Sequence, residues 1–352
     1  MKRFVGILTL VLMAVTTSCT HKELCVNHRE HAHKYHINII ADYRYDWEEW
    51  YGGTNWQESW PENYLDYESL RPKQPKGLRV INYGEAGNSN IHNIQPTGGV
   101  ITLYEGTNDM LFYNNDTEYI IFSRYDNGAT TRASTRATTR TCTRATYTGS
   151  RYANEGEATV NPPDMLYANY YEGYVPEKVL DPVEFPITLQ PLVYTYKIRY
   201  EFASGLKYVA KASGALSGMA RSVDMNTGET SDESATILFD CKLTDFGARA
   251  IVNSFGVPGY PNANYPTTRG NKHALNLEVM LRNGNIVNFD YDVTEQVAAQ
   301  PHGGVIVISG IEVSEDQGMQ GSGAFDVEVD DWGEYEDIVL PLIYYIYRYT
   351  LH

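Results

Sequence analysis

The chain has 352 residues, enough for two domains rather than one small core. Its 28 Lys and Arg against 44 Asp and Glu leave a net charge of −16, which excludes the basic face of a nucleic-acid binder and a polybasic membrane surface. Outside the first twenty positions no apolar run of about twenty residues occurs, so no bilayer-spanning helix is predicted.

Lys2 and Arg3 precede an apolar stretch from Phe4 to Val15, the layout of an export signal. The stretch stops at Thr16, Thr17, Ser18 and Cys19. Small residues leading into a cysteine are the pattern of a bacterial lipoprotein site, with the Cys19 thiol carrying the lipid. A signal over 1–18 and a lipid anchor on Cys19 are expected; the alternative is a plain secretory signal. Cys25, Cys142 and Cys241 are odd in number and form no C-x-x-C pair, so neither a disulfide framework nor a zinc ribbon is predicted.

His21, His28, His31, His33 and His36 crowd one short stretch. Imidazoles this dense are able to hold zinc or copper. No Cys or carboxylate stands at a familiar spacing beside them. Residues 19–36 are therefore read as a polar tether, with no metal and no cofactor expected; metal capture by His28, His31, His33 and His36 is the weaker reading.

Ile37 and Ile39 alternate with polar neighbours over His36–Tyr43, which predicts a strand. Residues 44–67 then hold Trp47, Trp50, Trp56 and Trp60 among tyrosines and acids. Such rings stack on the apolar faces of sugars, so these four are candidate glycan contacts; packing at the domain rim is the plainer alternative. Short strands are predicted at Gly77–Tyr83, Gly99–Tyr104, Asp109–Tyr113 and Glu118–Ser123. Strands of this length and spacing read as a sandwich or barrel.

Residues 130–145 repeat TTRA, STRA, TTRT and CTRA, placing Arg132, Arg136, Arg140 and Arg144 four apart. On a helix these like charges would stack on one face. An exposed, extended loop over 128–150, open to an Arg-specific protease, is predicted instead. Six prolines punctuate 160–192 around a strand at Val183–Leu189, and a domain junction is placed near 182–193.

The second half reads as further strands: Val193–Phe202, Ala235–Leu243, Arg249–Phe255, Ala274–Leu281, Ile286–Tyr291, Gly304–Val313 and Ala324–Val329. Gly205–Met219 fits a short helix or a strand pair. Asn283-Gly284 predicts a tight hairpin, because both residues tolerate positive φ. The end, Ile338–Leu351, is apolar and β-prone with one charge, Arg348. Left bare it would invite aggregation. It packs on its own sheet or adds to another chain, with Ile338, Leu340, Leu342, Tyr344 and Ile346 as the candidate donor strand.

Several segments carry a resemblance: Cys19–Cys25 (CTHKELC), Tyr113–Phe122 (YNNDTEYIIF), Pro163–Tyr167 (PDMLY), Gly214–Ala220 (GALSGMA) and Asp330–Trp332 (DDW). Together they resemble Bacteroidetes outer-surface lipoproteins related to fimbrillin-like and fimbrial-anchor proteins. The resemblance implies an all-β fold of two tandem transthyretin-like, Greek-key β-sandwich domains, 37–190 and 191–352. It further implies a surface-exposed outer-membrane lipoprotein that joins other fimbrial subunits as anchor, accessory or tip. In polymerising fimbrillins an Arg-specific cut frees an amino-terminal strand; here the Arg repeat falls inside the first domain, which favours an anchor or cap over a shaft subunit. Neither G-x-S-x-G, H-E-x-x-H nor a P-loop occurs, and a non-enzymatic protein is expected.

Overall fold

The computed structural model describes residues 34–44, 74–124, 127–138, 149–260, 272–301 and 303–319. These residues form an all-β fold, as the strand spacing predicts. In the first half lie β1 (His36–Tyr43), β2 (Leu78–Gly84), β3 (Ser89–Ile94), β4 (Gly98–Thr102), β5 (Asn108–Asn114), β6 (Ile120–Ser123), β7 (Arg132–Thr135), β8 (Ala158–Val160), β9 (Tyr167–Tyr174) and β10 (Val183–Pro191). In the second lie β11 (Tyr194–Ser204), β12 (Val209–Ala220), β13 (Ser222–Asp224), β14 (Ser234–Thr244), β15 (Gly247–Ser254), β16 (Ala274–Leu281), β17 (Ile286–Asp292) and β18 (Gly304–Glu312). Two short helices, α1 (Thr294–Ala298) and α2 (Glu315–Met319), flank β18.

The first sheet has seven strands in the order β3-β2-β5-β9-β10-β1-β4. β1 and β10 run parallel, from Ile37 opposite Val183 to Tyr43 opposite Leu189. β3 and β4 stand at opposite ends of this order yet follow one another in the chain, closed by a bond from Gly98 N–H to the Gln95 carbonyl. The sheet therefore folds back on itself. Between its layers Ile37, Ile39, Leu78, Val80, Met110, Phe112, Phe185 and Leu189 form one apolar cluster. The alternation of strand side chains produces this face, and each side chain of this size contributes about 1.5–3 kcal/mol by leaving water.

The second sheet runs β17-β16-β12-β14-β15-β11-β18, with β8 also paired to β14. It repeats the parallel pairing of a first strand with a late one, here β11 with β18. β14 serves two neighbours on one side: Ala235–Ile237 pair with β8, and Lys242–Thr244 with β15. Its core gathers Ile198, Tyr200, Leu216, Ile237, Val252, Leu275, Leu277 and Ile306. β18 ends the sheet order, and two glutamines cover its outer edge. Val307 N–H donates to Gln296 Oε1 at 3.0 Å, and Gln296 Nε2 donates back to the Val307 carbonyl at 3.3 Å. Gln300 does the same for Val305, at 2.8 and 2.9 Å.

Among the described residues, strands of the two halves pair with each other in two places. β7 pairs with β6 and with β13, making a three-stranded sheet from both halves. β8, from the first half, pairs in parallel with β14 of the second. A third apolar cluster joins the halves: Ile81, Leu111, Tyr113 and Ala168 behind the first sheet meet Ala220, Val223, Met225 and Phe255. β5 is consequently buried on both faces.

Most predicted strands fall within two residues of their expected ends. The Asn283-Gly284 hairpin forms, with Gly284 at φ 83 and its N–H on the Leu281 carbonyl. Gly205–Met219 resolves into one turn of 3₁₀ helix, Leu206–Tyr208, and the strand β12. Two expectations are corrected. Ser89–Ile94 is a strand outside the predicted set, as are β8, β9 and β13; the polar sequence of Ser89–Ile94, SNIHNI, suits an exposed edge. Arg132–Thr135 is a paired strand rather than exposed loop. A four-residue spacing is also an even spacing, compatible with a strand; in β7 Ala133 and Thr135 turn inward and are buried, while Arg132 lies on the opposite face.

Candidate functional site

A cleft of about 710 Å³ opens where the two halves meet. Its size is that of a small-ligand pocket. One wall comes from the chain after β5, with Asn114, Asp116 and Tyr119, and from the β8–β9 connection, Asn161–Met165. The other wall is Leu238–Asp240 of β14 with Ile251 and Asn253 of β15. The β14 residues are those lying between its β8 pairing and its β15 pairing, so the cleft sits where the strand changes neighbours.

Two of the sequence motifs line this cleft and hold each other. Asp164 accepts the backbone N–H groups of Glu118 and Tyr119 at 2.7 and 2.5 Å. Asn114 reaches back the other way: its Nδ2 donates to the Met165 carbonyl at 3.0 Å, and its Oδ1 accepts Tyr167 N–H at 2.7 Å. The segments Tyr113–Phe122 and Pro163–Tyr167 are thus clasped by reciprocal side-chain bonds to backbone. Asp116 accepts Lys76 N–H at 2.9 Å and Asn114 Nδ2 at 2.7 Å. Asn253 ties the second half in, donating to the Pro163 carbonyl at 3.2 Å while accepting the Thr195 hydroxyl at 3.0 Å.

At the mouth Tyr119 is 39% and Ile251 61% exposed, above a floor that includes buried Leu238 and Phe239. Carboxylates, side-chain amides and a half-exposed ring suit hydrogen-bonded recognition of a polar ligand or peptide. Among the described residues no group of three or more His, Cys, Asp or Glu is placed to hold a metal ion.

A second polar cluster lies under the GALSGMA motif. Glu157 Oε2 accepts Gly218 N–H at 3.1 Å and the Thr236 hydroxyl at 2.7 Å, while its Oε1 accepts Asn154 Nδ2 at 2.6 Å. Gly218 sits at φ 84, in the left-handed region that glycine enters without strain. Beside it His273 is buried, and burial pushes its imidazole down to about 4 against an attractive pull from Glu157.

Of the residues expected to carry function, Arg132 lies on β7 and Arg136, just after it, is exposed. His36 opens β1, its ring 3.2 Å from the Leu180 carbonyl. Cys19, His28, His31, His33, Trp47, Trp50, Trp56, Trp60, Arg140, Arg144, Ile338, Leu340, Leu342, Tyr344 and Ile346 lie outside the described residues. Sequence reasoning did not single out Asp164, Asn114 or Asn253 as a set. The signal was present for the first two, which fall within quoted motifs; Asn253 falls in none.

Comparison with known proteins adds the following. The profile of a family described as a domain of unknown function, DUF5119, matches residues 63–240, just over half of the chain. No curated protein matches. Among solved structures, a candidate adhesin from Bacteroides ovatus superposes with a TM-score of 0.52 at 19% identity, over 84% of this chain and 99% of its own. A second candidate adhesin from Bacteroides ovatus gives 0.46 at 9% identity, over 81% and 91%. The fimbrial anchor protein Mfa2 from Porphyromonas gingivalis gives 0.42 at 9% identity, over 78% and 90%. The first of these shows a shared fold; the other two superpose too loosely to carry an inference.

Proposed function

Because the chain belongs to the DUF5119 family, itself of undescribed function, we propose its role from its fold and its leader: a non-enzymatic, exported lipoprotein of the cell surface, acting in adhesion or fimbria assembly. The observation that carries this reading is the fold shared along nearly its full length with the Bacteroides ovatus candidate adhesin. The amino-terminal sequence supports the location, with Cys19 as the lipidated residue and the outer membrane as the destination. Two sandwich units, 37–190 and 191–352, form the body, and the first pairs β7 with β13 and β8 with β14 of the second. Other fimbrial subunits are the partners, joined by strand addition through the apolar end Ile338–Leu351, with Ile338, Leu340, Leu342, Tyr344 and Ile346 as the inserted side chains. The inner position of the Arg repeat favours an anchor, accessory or tip role over a shaft role.

A second reading is a surface glycan binder using Trp47, Trp50, Trp56 and Trp60; four tryptophans within fourteen residues favour it. Fractionation separates the two. Cells are sheared gently, filaments are parted from outer membranes, and both are blotted. Recovery in filaments, or filament loss on deletion of the gene, supports the assembly role. Membrane recovery with filaments and adhesion intact overturns it and leaves glycan binding.

A further inference from the structure

One face of the second sheet carries a row of cations. Arg249 of β15 lies directly opposite Arg199 of β11 on one side and Lys242 of β14 on the other. Residues directly opposite share a sheet face, so three cationic side chains stand abreast across three strands. Lys197 joins them on that face, two residues before Arg199. Like charges in this position repel, and the chain as a whole is strongly acidic.

Two acids stand near the row. Glu201 is taken up by Arg199 at 2.6 Å and by the Ser309 hydroxyl at 2.5 Å. Asp240 stands at the far end, exposed, two residues before Lys242. The Arg199 guanidinium also lies 4.1 Å from the centre of the Phe246 ring. The side chains of Lys242 and Arg249 make no ion pair or hydrogen bond among the described residues; Lys242 is exposed and Arg249 half-buried. Burial, and after it the neighbouring Arg249, pushes the Lys197 ammonium down to about 7.

The chain itself supplies a complement. β18 is hydrogen-bonded to β11, and Val313 N–H closes onto the Ser204 carbonyl at the end of that strand. The described chain stops soon after, at Met319. The sequence then turns acidic, with seven carboxylates from Asp326 to Asp337 and no Lys or Arg among them. Seven steps from Met319 to Asp326 span at most about 25 Å, and Arg199 lies about 17 Å of strand before Ser204.

We propose that the acidic stretch Asp326–Asp337 of the same chain docks on the Lys242–Arg249–Arg199 row and covers this face of the sheet. Each exposed pair is weak alone. A stretch tethered nearby meets the row at high effective concentration, so several weak pairs act together.

A zero-length carbodiimide cross-linker tests this on the mature full-length chain. Lys242 is expected to join a carboxylate within 326–337 in the monomer band. The link is expected to fade at about 1 M salt, where the screening length falls to about 3 Å. In a second measurement, Lys242→Glu with Arg249→Glu is expected to speed cleavage by a Glu-specific protease within the stretch about fivefold at low salt, while the far-ultraviolet circular dichroism melt stays as in the wild type. A Lys242 link found only in the dimer band assigns the row to a second copy and overturns the proposal. So does a cleavage rate that charge reversal leaves unchanged.

Discussion

The Asp164 carboxylate holds the backbone N–H of Tyr119 at 2.5 Å, across 45 residues of chain. The same oxygen takes Glu118 N–H, so one side chain fixes the turn that leads into β6 and forms a wall of the cleft. Asp164→Ala is expected to lower stability by about 1–2 kcal/mol, since bonds to a charged acceptor are the stronger ones and two donors lose their partner. Asp164→Asn keeps an oxygen in place and is expected to lose about half as much. Urea unfolding of the three proteins measures this. An Asp164→Ala midpoint equal to wild type would show that water replaces the carboxylate without loss.

Gly218 answers a backbone demand. At φ 84 a Cβ is strained, and one built there would also collide with the Lys272 carbonyl oxygen. Gly218→Ala is therefore expected to cost about 2 kcal/mol or more, the left-handed penalty plus displacement of the 272–273 segment. Amide exchange at Thr236 and Gly218 should rise together, because Glu157 bonds to both residues. A variant with unchanged exchange there would refute the coupling.

His273 gives the fold a dependence on pH. Its imidazole, pushed down to about 4 by burial, stays neutral in the folded chain where the unfolded chain takes up a proton near 6.5. The unfolded state thus binds more protons between about 6.5 and 4, and stability falls as pH falls through that window. Above it the contribution is complete. The loss reaches about 3 kcal/mol at the lower end. His273→Gln removes the titration, so the difference in stability between variant and wild type should vary with pH in this window and level off above pH 7. A difference independent of pH would refute it.

The two glutamines on the outer edge of β18 invite a test of edge protection. Gln296→Ala with Gln300→Ala leaves the N–H and C=O groups of Val305 and Val307 without their present partners. An uncovered strand edge is a template for pairing with another chain. The double variant is expected to self-associate in sedimentation at concentrations where the wild type does not. Glutamates at both positions keep an acceptor for each N–H and add repulsion between copies, so self-association should stay low. Identical sedimentation of all three proteins would mean that the edge is covered by something else.

The sequence was readable wherever one strand face is apolar and the other wet. β1 and β10 show this alternation, and Asn283-Gly284 marks its hairpin through local backbone preference alone. β3 was not readable, since an exposed edge strand needs no apolar face. β7 was hidden by its repeat, whose period of four is compatible with strand as well as with loop. β8 is too short to show any period, and only its partner β14 makes it a strand. The cleft was legible as motifs but not as a place. Asp164 and Tyr119 belong to separate segments, and no periodicity reports a bond between them.

The borrowing of β7 and β8 bears on how the chain is made. Strands β1 to β5, emerging first, do not complete their sheet until β9 and β10 follow. β7 is able to pair with β6 at once, but its other edge and β8 wait until residues 222–237 have been made and offer β13 and β14. A chain held between those two moments presents unpaired strand edges to its surroundings. A released chain ending at residue 200 should therefore be cleaved faster than the full chain within 132–135 and 158–160, a footprint that an independently folding first half would lack.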